Sequence, residues 1–494
     1  MSGAMTLVSV LEIFRLLFSN HWVGRWQRQW HQQGLLRASG GRRTGPPAKA
    51  TKKKKKAKKQ KSSGWRFYQR IFSLRVTLWY LIYQRLNFDQ TLAAVVTNVR
   101  AGGADRLGRR GRKLSRRMRS TKTSGYNQAR QRVPVEFLAA ALAHLRQGVL
   151  QLVGWGAQPK QPPGPNERPR QVLDGSTLAV LFTPSLGRDY PPARNQSGTS
   201  DWCLLRIVVG FCARSGAVLS ALEGAMQRSE QAMAWVLMAQ ARAFTIWIGD
   251  RNFGVWSVVA QAVRYRQDVL VRLTGVRAAK LSRGRPLRSG EDRPLQWSPS
   301  RSDQEALGTE RAPVAGRLIY VRLKKGGKWI DLWLFTTLDA EHYPVELLVT
   351  WYGQRWQAEL HFRSVKTQMK MAELDVCSAA MARKEFYAGL LAYSLVRALM
   401  WGAGARLEGG IQTISFSQAR RALLERLQDW GRSWRCRASW LPSLLAEVAQ
   451  HTLPKRRHAR PTELRRVRHR RLKFPPLRGN RAAARARDLT TKSL

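Results

Sequence analysis

The sequence is short of acids, of cysteine and of long apolar runs, and each shortage removes a class of protein. Asp and Glu together number 31 against 87 Lys and Arg, a formal net charge of +56 with a pI near 11.6 over 494 residues. An excess of that size is more than solvation needs and calls for a polyanionic partner. Nucleic acid comes first, a membrane surface second, and ribosome association is the plain alternative. The four cysteines, Cys203, Cys212, Cys377 and Cys436, lie far apart. They form neither a disulfide framework nor a metal-ligand pair, and read as reduced, buried thiols of a cytosolic protein. The apolar run Met5–Phe18 is broken by Glu12 and Arg15 and has no basic start, so it is not a signal peptide. No uninterrupted apolar run approaches the roughly 20 residues of a membrane span, and no membrane partner is expected.

What is present is basic, helical at both ends and strand-bearing in the middle. Residues 1–64 hold a helical pattern with Trp22, Trp26 and Trp30 on one face, followed by a linker carrying Lys52–Lys56, Lys58, Lys59 and Lys61. Such a like-charge block contacts phosphates without reading sequence. Residues 65–157 alternate helical patterns with a second basic segment, Arg109–Arg119, and the element Tyr126…Gln128-Ala129-Arg130. A Pro-rich stretch, 158–170, marks a boundary. Beyond 400 the chain reads as helical to about residue 449, with a tail, Lys455–Lys473, that holds ten Lys or Arg among nineteen positions.

Between these lies an acid-bearing α/β pattern. Residues 171–181 read as a strand carrying Asp174, and Leu204–Cys212 and Ala217–Leu222 as two more joined at Ser215-Gly216. Ser229 caps a helix over 230–242, and Phe244–Asp250 is an apolar strand ending in an acid. Strand, strand, strand, helix, strand, with Asp on the first and last strands, is the order of an RNase H-like core. That core needs a further carboxylate on a later helix. Pro344 and Glu346 signal a helix start. Taking about 100° per residue, Tyr352, Arg355, Glu359 and Lys366 share a stripe roughly 60° wide beside an apolar face of Trp351, Phe362, Val365 and Met369. On its own this is an amphipathic surface helix with an i,i+4 Arg–Glu pair.

Together the four residues resemble the Tyr-x2-Arg-x3-Glu-x6-Lys signature of bacterial insertion-sequence transposases of the insertion-sequence-four group, and Gly249-Asp250-Arg251-Asn252 resembles that family's second signature. The resemblance covers about residues 75–400. The stretch Leu181–Pro191 follows the family only loosely. The resemblance implies an RNase H-like mixed-sheet core over 171–400 with a β-rich insertion at about 265–340, flanked by a helical basic N-terminal region and a helical C-terminal region, 401–494. It implies an Asp174, Asp250, Glu359 site for Mg²⁺ or Mn²⁺, the ions whose hard, oxygen-seeking chemistry three acids satisfy without His or Cys. It implies DNA contacts from Tyr352, Arg355, Lys366 and Arg130, and a flipped base held by an aromatic side chain, with Trp297, Trp329 and Trp333 as candidates. The expected protein is a DNA transposase acting on double-stranded element ends and target as a homodimer, cytoplasmic and nucleoid-associated. A structure-selective nuclease on the same core and a non-catalytic DNA-binding descendant remain as alternatives.

Overall fold

The computed structural model describes residues 13, 17–39, 71–108, 112–156, 164–192, 194–195, 198–199, 203–301, 303, 312–325, 327–432, 439–454 and 482–483. Both Lys-rich tracts, 52–61 and 455–473, and Cys436 lie outside the described residues. The chain divides into two units, 1–452 and 453–494, and the sheet with the helices around it belongs to the first.

The sheet is preceded by helices α1 (Asn20–Ser39), α2 (Leu74–Leu86), α3 (Leu92–Arg100), α4 (Ser124–Arg132) and α5 (Val135–Leu152). Ser73 and Thr91 cap α2 and α3 with their side-chain oxygens. The tryptophan face expected for α1 is a packing face. Trp22 stacks on His144 of α5 at 4.9 Å, and Trp26 meets Phe137 edge-on at 4.8 Å.

The sheet assembles on β1 (Arg170–Val180). β2 (Cys203–Cys212) lies antiparallel to it, and β3 (Val218–Ala225) antiparallel to β2. The turn between them uses Gly216 at φ +70°, a conformation that suits glycine. α6 (Glu230–Gln240), capped by Ser229, leads to β4 (Ile246–Gly249), which runs parallel to β1. α7 (Trp256–Arg264) then leads to β5 (Asp268–Arg272), parallel to β4. The order β3-β2-β1-β4-β5, with the last two strands parallel to the first, is an RNase H-like core.

The β-rich insertion differs from expectation in where it begins. β5 belongs to the core, because the parallel ladder from β4 continues onto it. The remaining strands, β6 (Asp292–Trp297), β7 (Val314–Lys325) and β8 (Lys328–Thr336), follow a short helix, α8 (Gly275–Leu281), and extend the same sheet: β8 pairs β5, β7 pairs β8 and β6 pairs β7. β9 (Glu373–Leu374) adds to the far end of β1.

Two helices follow the insertion, α9 (Val345–Gly353) and α10 (Trp356–Arg363), and then the 26-residue α11 (Ala379–Gly404), α12 (Phe416–Arg432) and α13 (Trp440–Gln450). α11 is long and apolar enough to cross a membrane, which inspection for uninterrupted runs overlooks, and it is buried inside the fold instead. It packs against α2, α5, α12 and α13. It also grips the β2–β3 turn: Arg397 donates to the Ser215 carbonyl at 2.7 Å and the Tyr393 hydroxyl to the Gly216 carbonyl at 3.0 Å. Cys203 and Cys212 are buried as expected, but Cys377, which ends the approach to α11, is exposed.

Candidate active site

Pairing register brings the first two acids together. Leu173 of β1 stands opposite Gly249 of β4, and Gly249 opposite Val271 of β5. One residue further along, Asp174, Asp250 and Arg272 therefore form a row across three neighbouring parallel strands, each about 4.8 Å from the next. The row opens into a cavity of about 310 Å³ lined by Asp174, Asp250, Arg251, Arg272, Tyr352, Arg355 and Glu359. Five of the seven residues expected at the site thus meet in one place.

The two aspartates are held by their own backbone. The Gly175 amide donates to Asp174 Oδ1 at 2.9 Å, and the Asn252 amide to Asp250 Oδ1 at 2.9 Å. Burial pushes the Asp174 carboxyl up to about 6, and the charge of Asp250 beside it adds to the rise. Burial likewise raises the hydroxyl of Tyr352, of which only 8% is exposed. For Arg355 burial works against the charge, but Tyr352, Glu359 and the two aspartates outweigh it and its pKa rises.

Glu359 stands at the cavity wall with 44% of its side chain exposed, taking a 3.3 Å contact from Arg355 Nη2. Among the described residues no three His, Cys, Asp or Glu side chains converge closely enough to hold an ion as they stand. The structure brings Asp174 and Asp250 side by side and leaves Glu359 tied to Arg355.

The continuous helical stripe expected through Lys366 does not form. α9 ends at Gly353, the poorest helix former in the stretch apart from proline. The amides of Gln354 and Arg355 then turn back to the carbonyls of Trp351 and Tyr352, three residues away rather than four. A second irregularity, a π turn over Ser364–Gln368, closes with Met369 N bonded to Ser364 O. Tyr352, Arg355 and Glu359 still reach the cavity across the first break. Lys366 lies within the second and does not line it; half-burial lowers its pKa.

Arg130 is a clear correction. It is buried, pairs with Glu385 of α11 and lies over the Tyr126 ring. Arg85 of α2 pairs with the same carboxylate. A guanidinium so enclosed has no face left for DNA. The exposed cations nearby are Arg112, Lys113, Arg116, Arg119 and Lys122, set around the buried Leu114 and Met118. Of the three tryptophans, Trp297 is buried against Phe335 and Trp333 stacks on Tyr320 at 4.1 Å. Trp329, 59% exposed near the β7–β8 turn, has Arg322 and Lys324 against its ring.

Two cavity residues were given no role from the sequence. Arg251 directly follows Asp250 within the stretch that resembles the family's second signature. Arg272 carries no local signal, since its place depends on the β4–β5 register.

Residues 165–395, which span every residue of the cavity, match the family described as transposase DDE domain. A curated relative, transposase InsG for insertion sequence element IS4 of Escherichia coli (strain K12), is 27% identical over 256 residues, 50% of this chain and 56% of that protein. The chain therefore spans little more than half of that relative's length. Among solved structures, the cryo-EM structure of the piggyBac transposase synaptic complex with hairpin DNA aligns with 89% of this chain and 85% of its own. The TM-score is 0.36 and the identity 11%.

Proposed function

We propose, from the match of residues 165–395 to the transposase DDE domain family, that the protein is a DNA transposase, cleaving phosphodiester bonds at the ends of an insertion element and joining them to target DNA. The observation that carries this reading is the row of Asp174 and Asp250 opening into the cavity that Glu359, Tyr352 and Arg355 also line.

The donor set suits a hard divalent ion. It is made of carboxylates, two of them adjacent, and the repulsion that helps hold the Asp174 carboxyl near 6 is one that a dication relieves. Asp174, Asp250 and Glu359 are the residues that would hold Mg²⁺ or Mn²⁺, and the bound ions supply a more acidic water and charge relief at the leaving oxygen. To join them at an ion Glu359 would give up its contact with Arg355, which would free the guanidinium. A planar fork of donors is suited to a phosphate. Arg251 and Arg272 flank the same space and neutralise the phosphodiester from the strand side, while the buried Tyr352 hydroxyl keeps its proton and can donate it as a hydrogen bond.

The exposed cations between Arg112 and Lys122, rather than Arg130, hold the flanking duplex. Trp329 is the tryptophan best placed to stack on an unpaired base, being exposed and flanked by cations. In this reading the protein acts as a homodimer in the cytoplasm, associated with the nucleoid, on double-stranded DNA whose phosphates its net charge of +56 attracts.

The test is single-turnover cleavage of a pre-bound element end with Mg²⁺ or Mn²⁺. Asp250→Asn is expected to bind the end normally and not to cut it, and a wild-type cutting rate would overturn the assignment. Joining of the cut 3′ end to target DNA separates a transposase from a nuclease on the same core.

A further inference from the structure

A fourth acid stands behind the cavity. Glu230 is the first residue of α6, directly after the Ser229 cap, and is not among the cavity-lining residues. Its carboxylate lies against the backbone of β1 at Gly175, the residue after Asp174, and a Cβ there would collide with the carboxyl carbon and both oxygens. On its other side, Glu230 Oε2 accepts from Asn252 Nδ2 at 2.7 Å. Asn252 is the residue whose amide holds Asp250 Oδ1. Gln231 completes the fastening by donating from Nε2 to Asn252 Oδ1 at 2.7 Å and to the Asn252 carbonyl at 2.9 Å. One carboxylate at the helix start thus bears on the strand next to Asp174 and on the turn that presents Asp250.

We propose that Glu230 is a positioning residue of the active site, which sets the Asp174–Asp250 pair through Asn252 and Gly175 and adds negative charge that strengthens its hold on a divalent ion. The inference rests on the metal-dependent reading of the site. A purely structural helix cap does not require this arrangement. Ser229 already caps α6 through the Ala232 amide, and a helix start needs no carboxylate pressed into a gap that only glycine leaves open. Carboxylates that orient ligands from behind in this way commonly tune metal affinity by 10- to 100-fold.

Two variants separate position from charge. Glu230→Gln keeps an oxygen to accept from Asn252 and loses the charge, whereas Glu230→Ala loses both. Gly175→Ala should displace the wild-type carboxylate and mimic Glu230→Ala. The readout is Mn²⁺ binding to the full-length protein without DNA, followed by calorimetry and by the electron paramagnetic resonance of bound Mn²⁺. Glu230→Gln is expected to weaken binding about 10-fold and Glu230→Ala up to about 100-fold, with the Mn²⁺ spectrum altered only when the Asn252 contact is lost. Unchanged affinity in folded Glu230→Gln and Glu230→Ala, while Asp250→Asn abolishes binding, would overturn the role of Glu230 and leave the metal site standing. Unchanged affinity in Asp250→Asn as well would overturn the metal site and this proposal with it.

Discussion

Two glutamates of the same unit each meet arginine, and they differ in almost every other respect. Glu385 is enclosed in α11 between Arg85 of α2 and Arg130 of α4, with 2% of its side chain exposed, and the two guanidinium groups hold its carboxyl below the usual range against the cost of burial. Glu359 has one 3.3 Å contact to Arg355 and 44% exposure, on the rim of a cavity holding two further acids. The first carboxylate fastens two helices of the N-terminal region to the central helix. The second is held loosely enough to change partner. A charge buried with its full complement of donors is spent on the fold, and a charge left with a single weak partner beside like charges remains available for chemistry.

The strongest test of this contrast removes each charge while keeping the shape. Glu359→Gln is expected to reduce single-turnover end cleavage to background while the urea midpoint stays where it was, because an exposed i,i+4 pair contributes about 0.3–0.5 kcal/mol. Glu385→Gln is expected to do the opposite. It leaves two buried cations short of their counter-charge, a change that costs about 3–5 kcal/mol, and whatever folded protein remains should cut normally. A stable Glu385→Gln protein with impaired cutting would reverse the assignment of roles.

Arg130 and Arg355 show why the sequence could not draw this distinction. Both lie in segments that resemble the same family, both carry the same fork of donors, and the signal for each is local. What separates them is Glu385, which reaches Arg130 from 255 positions away. The strands bearing Asp174 and Asp250 were readable from their apolar runs, and the Ser229 cap and the turn at Ser215-Gly216 carry their own chemistry. The two breaks in the Tyr352–Lys366 helix were not readable. A 3.6-residue period assumes an unbroken helix, and Gly353 is a weak hint beside so strong an amphipathic pattern. The place of β5 and Arg272 in the row of acids depends on strand pairing, for which the insertion strands offered equally good apolar candidates.

Acid titration sharpens the contrast further, because the buried acid of the cavity and the buried acid of the fold have pKa shifts of opposite sign. The Asp174 pKa is raised from 3.8 to about 6, so its share of stability is full below 3.8 and is lost as pH rises through about 6. The Glu385 pKa is lowered from 4.5, so its share is full above 4.5 and is lost as pH falls through the lower value. Urea unfolding between about pH 3.5 and 7.5 should therefore show Asp174→Asn gaining on the wild type as pH rises from about 4 to 7. Glu385→Gln should lack the wild type's steep loss at the acid end. Parallel curves for Asp174→Asn and the wild type would mean that the carboxylate is not disfavoured in the folded site.

The smallest effect belongs to the residue that the broken helix displaced. Were the helix regular, Lys366 would stand in the stripe of Arg355 and Glu359 and face the cut strand with them. The π turn over Ser364–Gln368 ends that alignment, and Lys366 does not line the cavity. On the proposed reading Arg355→Ala removes a charge-assisted contact to the reacting phosphate, worth about 1.5–3 kcal/mol, or roughly 10- to 150-fold in single-turnover rate at 1.36 kcal/mol per tenfold. Arg355→Lys should fall with it, since an ammonium cannot reproduce the fork. Lys366→Ala should cut a pre-bound end within about threefold of the wild type, because it removes no contact at the reacting centre and one tenfold step already requires 1.36 kcal/mol. If Lys366 contacts one phosphate, as the resemblance implies, its loss should instead appear in binding, as a salt dependence flatter by roughly one unit. A rate defect as large as that of Arg355→Ala would show that DNA draws the turn back into a regular helix and restores the full stripe.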